Sequence, residues 1–538
     1  MKFENESTYK KFIESGNEGE FDRLFDNALD VARRKFGSEY PMKIGKQDVK
    51  SSELIIEASP IDRKIIMGKF QKGTRQDAQL AIRAAKDAFD EWSQTDYYDR
   101  ADIFTRAASL LSERKFEIAS VLSYENGKSR YESIGEVDEG IDFLRYYSLE
   151  LIRNKGFLRR NKIGGASKHA NAGFQGSPSF GERITIKLRP YGVFGVIAPF
   201  NFPISISIGM SSGAMLAGNS VVFKPSSTDN MAMMSGYKIY ELFADAGLPP
   251  GVFNYITGPG STVGDELAIN PDVAGIAFTG SRQVGTNMIK KSMSSNQYKQ
   301  FIVEMGGKNP AIVMKNADLE RAASGVASAA FGYAGQKCSA LSRLYVHESI
   351  KERFVGMLID KARNMKIGNP TQKDIYIGPL ISAAAYERYL DVVRKAKAQA
   401  HILYGGNVIK TGLDGFYVEP MIIEAAHDSD FVSTELFLPV LTVEEFSDLG
   451  EAIKLANDSE YGLTAGFYGK KRSDIERFAN AIESGVVYIN RASSATTGAI
   501  VGSHTFVGWK GSGISGKGTG SIHYLQQFTR EQSVSISE

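Results

Sequence analysis

The sequence predicts an α/β protein with mostly parallel sheets. Short runs rich in Val, Ile and Phe alternate with longer amphipathic stretches along most of the chain. Of the 538 residues, 42% are hydrophobic and 23% are charged, which is the ordinary balance of a globular enzyme. A chain of this length can bury more than one hydrophobic core, so we expect several domains.

Amphipathic spacing predicts two surface helices in the first quarter of the chain, Arg75 to Trp92 and Asp99 to Asn126. Further along, four short apolar runs separated by helical stretches predict the strands of a Rossmann-type, dinucleotide-binding domain. The four predicted strands are Val193 to Ala198, Ser220 to Phe223, Gly251 to Ile256 and Gly275 to Phe278.

Two further segments alternate polar and apolar residues like exposed strands, Arg183 to Arg189 and Tyr524 to Ile536. Ordinary surface hairpins are one interpretation. An oligomerisation flap is the favoured one, because exposed strand edges usually need a partner. We therefore expect a homo-oligomer, a dimer or larger.

Charge and composition exclude several classes. The 64 basic and 62 acidic side chains leave a net charge of +2, which predicts neither a nucleic-acid nor a membrane partner. The most apolar window, Tyr191 to Met210, contains Asn, Pro and Gly and predicts a buried strand and loop rather than a membrane span. Early acidic residues argue against a targeting peptide, so the cytoplasm is expected. The six His are scattered, and no metal site is predicted.

The only cysteine, Cys338, is a candidate nucleophile. A lone Cys is more often a small buried hydrophobe. Here it follows the helix-like run Ala322 to Phe331 in a Gly- and Ser-containing segment, next to Lys337. Because a nearby cation favours the thiolate, we expect Lys337 to activate it.

Two other residues suit aldehyde or acyl chemistry. Glu304 follows a strand-like run and precedes two glycines, so it is either a solvated carboxylate or a confined general base. Asn201 lies between aromatic residues and prolines, so it is either a turn-capping residue or a rigid donor to an oxyanion.

The cofactor signals are weaker when taken alone. Lys224 follows a predicted strand and could equally be a solvated lysine. Gly280 and Gly285 frame a G-x-x-x-x-G segment that opens a helix, which is not the usual dinucleotide fingerprint, although helix N-termini attract phosphate.

Together these segments resemble the aldehyde dehydrogenase superfamily over roughly residues 50 to 535. The resemblance rests on PFNFP, FKPSS, FTGS, EMGGKNP, GQKC, ELFLPV and YIN in this order. It implies NAD(P)-dependent oxidation of an aldehyde. Cys338 would attack the aldehyde carbon, Asn201 and the Cys338 N–H would hold the oxyanion, and Glu304 would activate water.

The resemblance also implies a cofactor site for NAD or NADP. Its residues would be Lys224, Ser226, Ser227, Phe200, Gly280, Ser281, Gly285, Glu435 and Phe437. Ser227 occupies the position at which many NAD-preferring members carry a glutamate that repels a 2′-phosphate. We therefore expect NADP to be accepted.

Within the superfamily, three stretches resemble the branch that oxidises glutamate-γ-semialdehyde in the second step of proline catabolism. They are GQKCSALSRLYVH, residues 139–147 and residues 497–506, of which the last resembles the substrate-anchoring loop of that branch and is called the anchor loop below. The substrate residues implied are Ser339, Gly498, Ala499, Phe506, Phe202, Glu139 and Lys337. A separate proline dehydrogenase would supply the substrate.

This resemblance divides the chain as follows: residues 1–182 form an N-terminal arm and the first part of the NAD(P)-binding domain, 183–190 an oligomerisation strand, 191–303 the NAD(P)-binding domain, 304–505 the catalytic domain, and 506–538 the end of the anchor loop and a C-terminal oligomerisation segment. Three alternatives remain: oxidation of another small aldehyde such as succinic semialdehyde or glyceraldehyde, a thiol hydrolase, and a non-catalytic member. The presence of Cys338, Glu304 and Asn201 argues against the last.

Overall fold

The computed structural model describes residues 3–162, 182–227, 231–296 and 298–537. Its α-helices are α1 (Thr8–Glu14), α2 (Glu18–Arg34), α3 (Arg75–Trp92), α4 (Tyr97–Glu113), α5 (Lys115–Asn126), α6 (Arg130–Arg153), α7 (Ser205–Leu216), α8 (Met233–Asp245), α9 (Asp265–Ile269), α10 (Arg282–Ser294), α11 (Leu319–Phe331), α12 (Lys351–Arg363), α13 (Ala383–Gln399), α14 (Asp430–Ser433), α15 (Leu449–Asn457) and α16 (Arg472–Ala481).

Its strands are β1 (Glu39–Tyr40), β2 (Met42–Ile44), β3 (Gln47–Val49), β4 (Leu54–Ala58), β5 (Ile66–Gln71), β6 (Leu158–Lys162), β7 (Glu182–Pro190), β8 (Val193–Ile197), β9 (Ser220–Lys224), β10 (Phe253–Tyr255), β11 (Val273–Thr279), β12 (Gln300–Glu304), β13 (Asn309–Val313), β14 (Leu341–His347), β15 (His401–Gly405), β16 (Met421–Glu424), β17 (Val440–Phe446), β18 (Tyr461–Gly462), β19 (Thr464–Tyr468), β20 (Val486–Ile489), β21 (Trp509–Lys510) and β22 (Thr529–Ser537).

Two seven-stranded sheets form the centre of the molecule, which confirms the α/β class. The first has the order β12-β11-β8-β9-β10-β2-β3. The first five strands in this order are parallel to one another. The chain starts in the middle at β8, proceeds outward through β9 and β10, and then returns to the other side of β8 with β11 and β12. The direction of winding therefore reverses between β8 and β11, which is where doubly wound sheets bind ligands.

The second sheet has the order β15-β16-β17-β14-β13-β19-β20 and is parallel except at β15. Strands β2 and β3, from the N-terminal part of the chain, extend the first sheet beyond β10. The boundaries of the predicted domains stay predictions.

The strands of the first sheet are buried on both faces, as parallel strands covered by helices must be. Along β9, Val221 and Phe223 pack into the large core beneath α4 to α8, while Val222 between them packs into a separate core with α3. This alternation fixes the strand register, because a slip of one residue would exchange the two faces.

Two predicted elements needed correction. The predicted helix from Asp99 to Asn126 is two helices, α4 and α5, separated at Arg114, and α5 is buried along most of its length instead of lying on the surface. The predicted tail strand from Tyr524 begins only at β22. Tyr524 and Phe528 before it are buried in the large core, where their rings pack at 5.3 Å between centroids.

The predicted flap segments do pair with each other. β7 lies between β6 and β22 in an antiparallel three-stranded sheet, and β22 pairs with β7 from Thr529 to Ser537. Residues 163–181, between β6 and β7, lie outside the described residues.

Candidate active site

Four strands of the first sheet end at the same edge and deliver most of the predicted site residues. Asn201 follows β8, Lys224 ends β9, Gly280 follows β11 and Glu304 ends β12. Because these strands are parallel and adjacent, residues more than a hundred positions apart in sequence meet at one edge. Cys338 comes from the other side, three residues before β14 of the second sheet.

Two hydrogen bonds fix the backbone around Cys338. The Asn309 side-chain amide donates to the Cys338 carbonyl at 2.7 Å and to the Ala340 carbonyl at 2.9 Å. The Gly307 backbone passes so close that a Cβ there would lie 2.4 Å from the Cys338 carbonyl oxygen. The half-buried thiol is thereby held next to the segment that begins at Glu304.

Lys337, which was expected to activate Cys338, has a different partner in the structure. Burial, with the nearby Glu435 and Glu304 carboxyls, raises the pKa of the Cys338 thiol to about 12. The Lys337 ammonium instead pairs with Glu132 at 2.5 Å. The charge that was expected to stabilise the thiolate is therefore already committed to a carboxylate.

Asn201 is 4% exposed, and its Nδ2 donates one hydrogen bond to the Gln336 carbonyl at 3.0 Å. Gln336 lies two residues before Cys338. An amide nitrogen has two hydrogens, so the second remains for another acceptor. The Asn201 amide is thus fixed directly against residues 333–340, which contain Cys338 and are called the nucleophile segment below.

Glu304 is held by the end of the predicted anchor loop. One carboxyl oxygen accepts from the Gly508 N–H at 2.9 Å, and burial raises the pKa of Glu304 to about 8. A carboxyl group with a pKa near neutrality is suited to accept a proton.

Lys224 is the most informative cofactor candidate. It is 4% exposed, and its ammonium donates to the Pro225 carbonyl at 3.2 Å and to the Ser227 hydroxyl at 3.3 Å. Burial lowers the pKa of Lys224 to about 8, and among the described residues the ammonium has no carboxylate partner. A buried cation without an anion fits a polyhydroxylated or phosphorylated ligand. Ser226 lies half-buried between these residues.

The Gly280 to Gly285 segment opens α10 as predicted. Ser281 is the N-cap and its hydroxyl accepts from the Val284 N–H at 3.4 Å. A Cβ at Gly285 would lie 2.9 Å from the Met305 sulfur, so this helix packs closely on the sheet. The N–H groups of its first turn are available to an anion.

Glu435 and Phe437 precede β17 and face the same edge. The Glu435 carboxylate accepts from the Gly307 N–H at 3.0 Å, and burial raises the pKa of Glu435 to about 7. Phe437 has a positive φ of 57°, and its ring packs edge-on against Phe200 at 5.8 Å. The two rings come from the loop after β8 and the loop before β17, which are strands of different sheets.

The predicted anchor loop is joined to the nucleophile segment. The Thr496 hydroxyl donates to the Ser339 carbonyl at 2.7 Å. Gly498 has a φ of 82° and lies close to the Arg491 guanidinium, and Ala499 beside it is half-buried.

Phe506 closes the anchor loop. Its backbone exchanges two hydrogen bonds with Thr519, at 3.0 and 2.9 Å, and its side chain is half-buried. Phe202 lies beneath the Lys128 ammonium, and burial raises the pKa of Glu139 to about 7.

The model of the aldehyde dehydrogenase family matches residues 48–534. The chain belongs to the aldehyde dehydrogenase family. Membership confirms the predicted fold class and the predicted NAD(P)-dependent oxidoreductase.

Among this family's curated members, 1-pyrroline-5-carboxylate dehydrogenase 1 of Halalkalibacterium halodurans is 34% identical over 521 residues, covering 95% of this chain and 96% of the relative. A 1-pyrroline-5-carboxylate dehydrogenase from Thermus, solved with bound NAD, superposes with a TM-score of 0.90 at 32% identity and covers 100% of this chain and 99% of that chain. Proline utilization A from Bdellovibrio bacteriovorus gives 0.91 at 31% identity, over 100% of this chain and 53% of that chain.

The aldehyde dehydrogenase fold also brings residues to the site that the sequence did not single out. Four of them contact one another or the chain next to Cys338, namely Lys128, Glu132, Glu136 and Tyr333. A fifth, Arg491, lies against Gly498. The spacing of four between Glu132 and Glu136 was the available signal, because residues four apart share a face wherever the segment is helical. Their partners on other elements could not be inferred from spacing.

No group of three or more His, Cys, Asp or Glu side chains lies close enough to hold a metal ion within the described part of the chain. None of the helices described is both long and apolar enough to cross a membrane.

Proposed function

We propose that this chain oxidises glutamate-γ-semialdehyde, the open-chain form of 1-pyrroline-5-carboxylate, to glutamate with reduction of NAD+ or NADP+, which is the second step of proline catabolism. The observation that carries the proposal is the hydrogen bond from Thr496, the residue directly before the anchor loop, to the carbonyl of Ser339, the residue directly after Cys338. The names of relatives that match nearly the whole chain support the same substrate.

In the first step, the Cys338 thiol passes its proton to solvent and its sulfur attacks the aldehyde carbon. The carbonyl electron pair moves to the oxygen, which accepts from the free hydrogen of Asn201 Nδ2 and from the Cys338 N–H. The bond of Asn201 to the Gln336 carbonyl fixes the amide in advance, so little reorganisation is needed as the charge develops.

The residues of the cofactor site fit a dinucleotide, as the buried and unneutralised Lys224 indicates. Lys224, Ser226 and Ser227 would hold the adenosine end. The pyrophosphate would lie near the α10 N-terminus at Gly280, Ser281 and Gly285, and the nicotinamide end near Phe200, Glu435 and Phe437. When bound, the cofactor supplies the hydride acceptor, and oxidation leaves the acyl group on Cys338 as a thioester.

Glu304 completes the reaction. Its carboxylate takes a proton from a water molecule, and the water oxygen attacks the thioester carbonyl. The carbon–sulfur bond then breaks, the acid is released and the Cys338 sulfur regains a proton.

The substrate's charged α-carbon would be held by the anchor loop. The Gly498 and Ala499 N–H groups and the Ser339 hydroxyl would donate to the α-carboxylate, since a buried carboxylate needs donors. Phe202 and Phe506 would enclose the aliphatic chain, and Glu139 and Lys337 would line the site.

The test compares kcat/KM for 1-pyrroline-5-carboxylate, succinic semialdehyde and glyceraldehyde, each with NAD and NADP. We expect a clear preference for 1-pyrroline-5-carboxylate. Ser339→Ala should lower that value by roughly tenfold, the typical cost of one hydrogen bond to a charged group, without affecting a neutral aldehyde such as propanal. A preference for another aldehyde would overturn the substrate assignment and leave the chemistry of Cys338 in place.

We propose that NADP is accepted, because Ser227 carries no charge and Lys224 beside it has no carboxylate partner among the described residues. A glutamate in place of Ser227 would repel the 2′-phosphate. Ser227→Glu should therefore lower kcat/KM with NADP about tenfold or more while retaining activity with NAD. A wild-type preference for NAD of about a hundredfold, or about 2.7 kcal/mol, would contradict the proposal.

We also propose that the protein is a homo-oligomer and that a separate proline dehydrogenase supplies its substrate. The three-stranded flap supports the first statement, since no other strand among the described residues pairs with its outer strands β6 and β22. The second is supported by the match of this chain to 53% of proline utilization A.

A further inference from the structure

Helix α6 carries two acidic side chains one turn apart that hold two different segments of the active site. Glu132 pairs with Lys337, the residue before Cys338, at 2.5 Å. Glu136 accepts from the Ile204 N–H at 2.8 Å and the Ser205 N–H at 3.3 Å, just after the Asn201 segment. One rigid helix therefore contacts both the nucleophile segment, which contains Cys338, and the segment that contains Asn201.

Lys128 strengthens this connection from the loop that precedes α6. Its side chain and that of Glu136 are both 0% exposed and form an ion pair. The Lys128 ammonium lies 3.6 Å from the centroid of the Phe202 ring and 5.0 Å from that of Tyr333. Since Phe202 follows Asn201 and Tyr333 precedes Cys338, the buried cation contacts aromatic rings of both segments.

The nucleophile segment needs such support because its backbone is strained. Tyr333 and Ala334 have φ values of 53° and 52°, a region that L-residues with a side chain rarely adopt. Residues in this conformation persist only where their surroundings hold them. Asn126, at the end of α5, adds a further contact by donating to the Phe200 carbonyl at 3.1 Å.

We propose that the buried Lys128–Glu136 pair is a positioning device for the oxidation, which holds the Asn201 and Cys338 segments at a fixed separation. The proposal rests on the proposed function, in which the Asn201 amide and the Cys338 N–H together bind the oxyanion. Neither Lys128 nor Glu136 touches the reacting atoms in this account. Both act through Phe202, Tyr333 and the first turn of α7.

The experiment replaces the pair with neutral side chains of similar length, Lys128→Met with Glu136→Gln. Replacing both partners leaves no unpaired buried charge, and the amide oxygen introduced by Glu136→Gln can still accept from the two N–H groups. Because a small displacement of aligned groups is enough to slow a reaction, we expect kcat to fall roughly tenfold to a hundredfold, with substrate KM and cofactor Kd within about twofold of wild type.

The control is Glu150→Gln on the same helix, which removes the pair with Arg153 at 2.9 Å, about 21 Å along the axis from Glu136. It should leave kcat unchanged. Glu132→Gln is the milder second variant, which should also lower kcat, and its half-buried position makes folding less dependent on it.

Alkylation of Cys338 by iodoacetamide gives a readout that needs no turnover, because the chain contains one cysteine. A released segment exposes the thiol to water more often, so the double variant should be alkylated about threefold faster or more than wild type. Wild-type turnover tests the proposed function, whereas these variant-to-wild-type ratios test the positioning device. An unchanged kcat and alkylation rate in folded variants, or a higher KM with unchanged kcat, would overturn the proposal.

Discussion

Burial opposes ionisation of the two titratable residues proposed to carry the chemistry, Glu304 and Cys338. Burial raises the pKa of Glu304 to about 8 and that of Cys338 to about 12. Each carboxyl near the thiol opposes its ionisation, because two negative charges in a confined site repel one another. Ionisation of Cys338 is therefore favoured by a change that accompanies binding or by a proton acceptor.

The raised pKa of Glu304 predicts the pH dependence of turnover. The carboxylate is the form that accepts a proton from water, and it forms as the pH rises through about 8. Where thioester hydrolysis limits turnover, kcat should therefore rise from pH 6 to a plateau above pH 9.

The control for this profile is Glu304→Gln, which keeps the shape of the side chain but cannot accept the proton. It should lower kcat by about a hundredfold and remove the rise near pH 8. An identical pH profile in wild type and Glu304→Gln would show that another group titrates.

At the scale of elements, the site residues lie at the ends of strands, and glycines allow the segments that follow or precede those strands to come into contact. Gly306 follows β12, and a Cβ at that position would lie within 1.9 Å of a Glu435 carboxyl oxygen. The segment after β12 and the segment before β17 can therefore meet only where the chain has no side chain.

This contact predicts the effect of Gly306→Ala. The added methyl group must push the Glu435 carboxylate away from its proposed place at the cofactor, so we expect the Kd for NAD to rise about tenfold. Isothermal titration calorimetry measures it. Gly264→Ala is the matched control, because nothing lies within 4 Å of a Cβ there. Equal affinities in both variants would contradict the proposed role of Glu435.

Local signals decided how well the elements could be predicted. The prediction of α3 has the observed bounds, because the helix is amphipathic and Thr74 with Asp77 forms a capping box. The break between α4 and α5 was missed. Since α5 is buried on most sides, its sequence shows little of the amphipathic spacing that marks a surface helix.

The candidate site shows the same limit. Asn201, Glu304 and Cys338 could be proposed from their segments and from the family resemblance. The pairing of Lys337 with Glu132 could not, because the two residues are 205 positions apart and only the tertiary fold brings them together.

For the whole molecule, the outer strand of the flap, the three-stranded sheet of β6, β7 and β22, predicts how copies of the chain associate. Within the described part of the chain, the outer strand β22 is paired on one side only, and Ile536 on it is 45% exposed. An unpaired edge with exposed apolar side chains favours association with another copy of the chain. The predicted homo-oligomer would give this edge a partner.

Charged residues on one face of β22 test this prediction. Val534→Lys with Ile536→Lys keeps the strand but places two cations where a second subunit would pack, so the oligomer should dissociate. Sedimentation velocity measures the mass of the assembly. Glu531→Lys is the control, because its side chain points to the opposite face of the strand. A wild-type protein that sediments as a monomer would contradict the prediction.

The most direct test of the central claim is the intact mass of the Glu304→Gln variant after mixing with 1-pyrroline-5-carboxylate and NAD. We predict that one glutamyl group is added and that its thioester maps to Cys338, because acylation proceeds while hydrolysis is slowed. Cys338→Ser in the same background should gain no mass. Reduced cofactor formed in amounts above one per subunit, with no mass added at any time, would contradict the account.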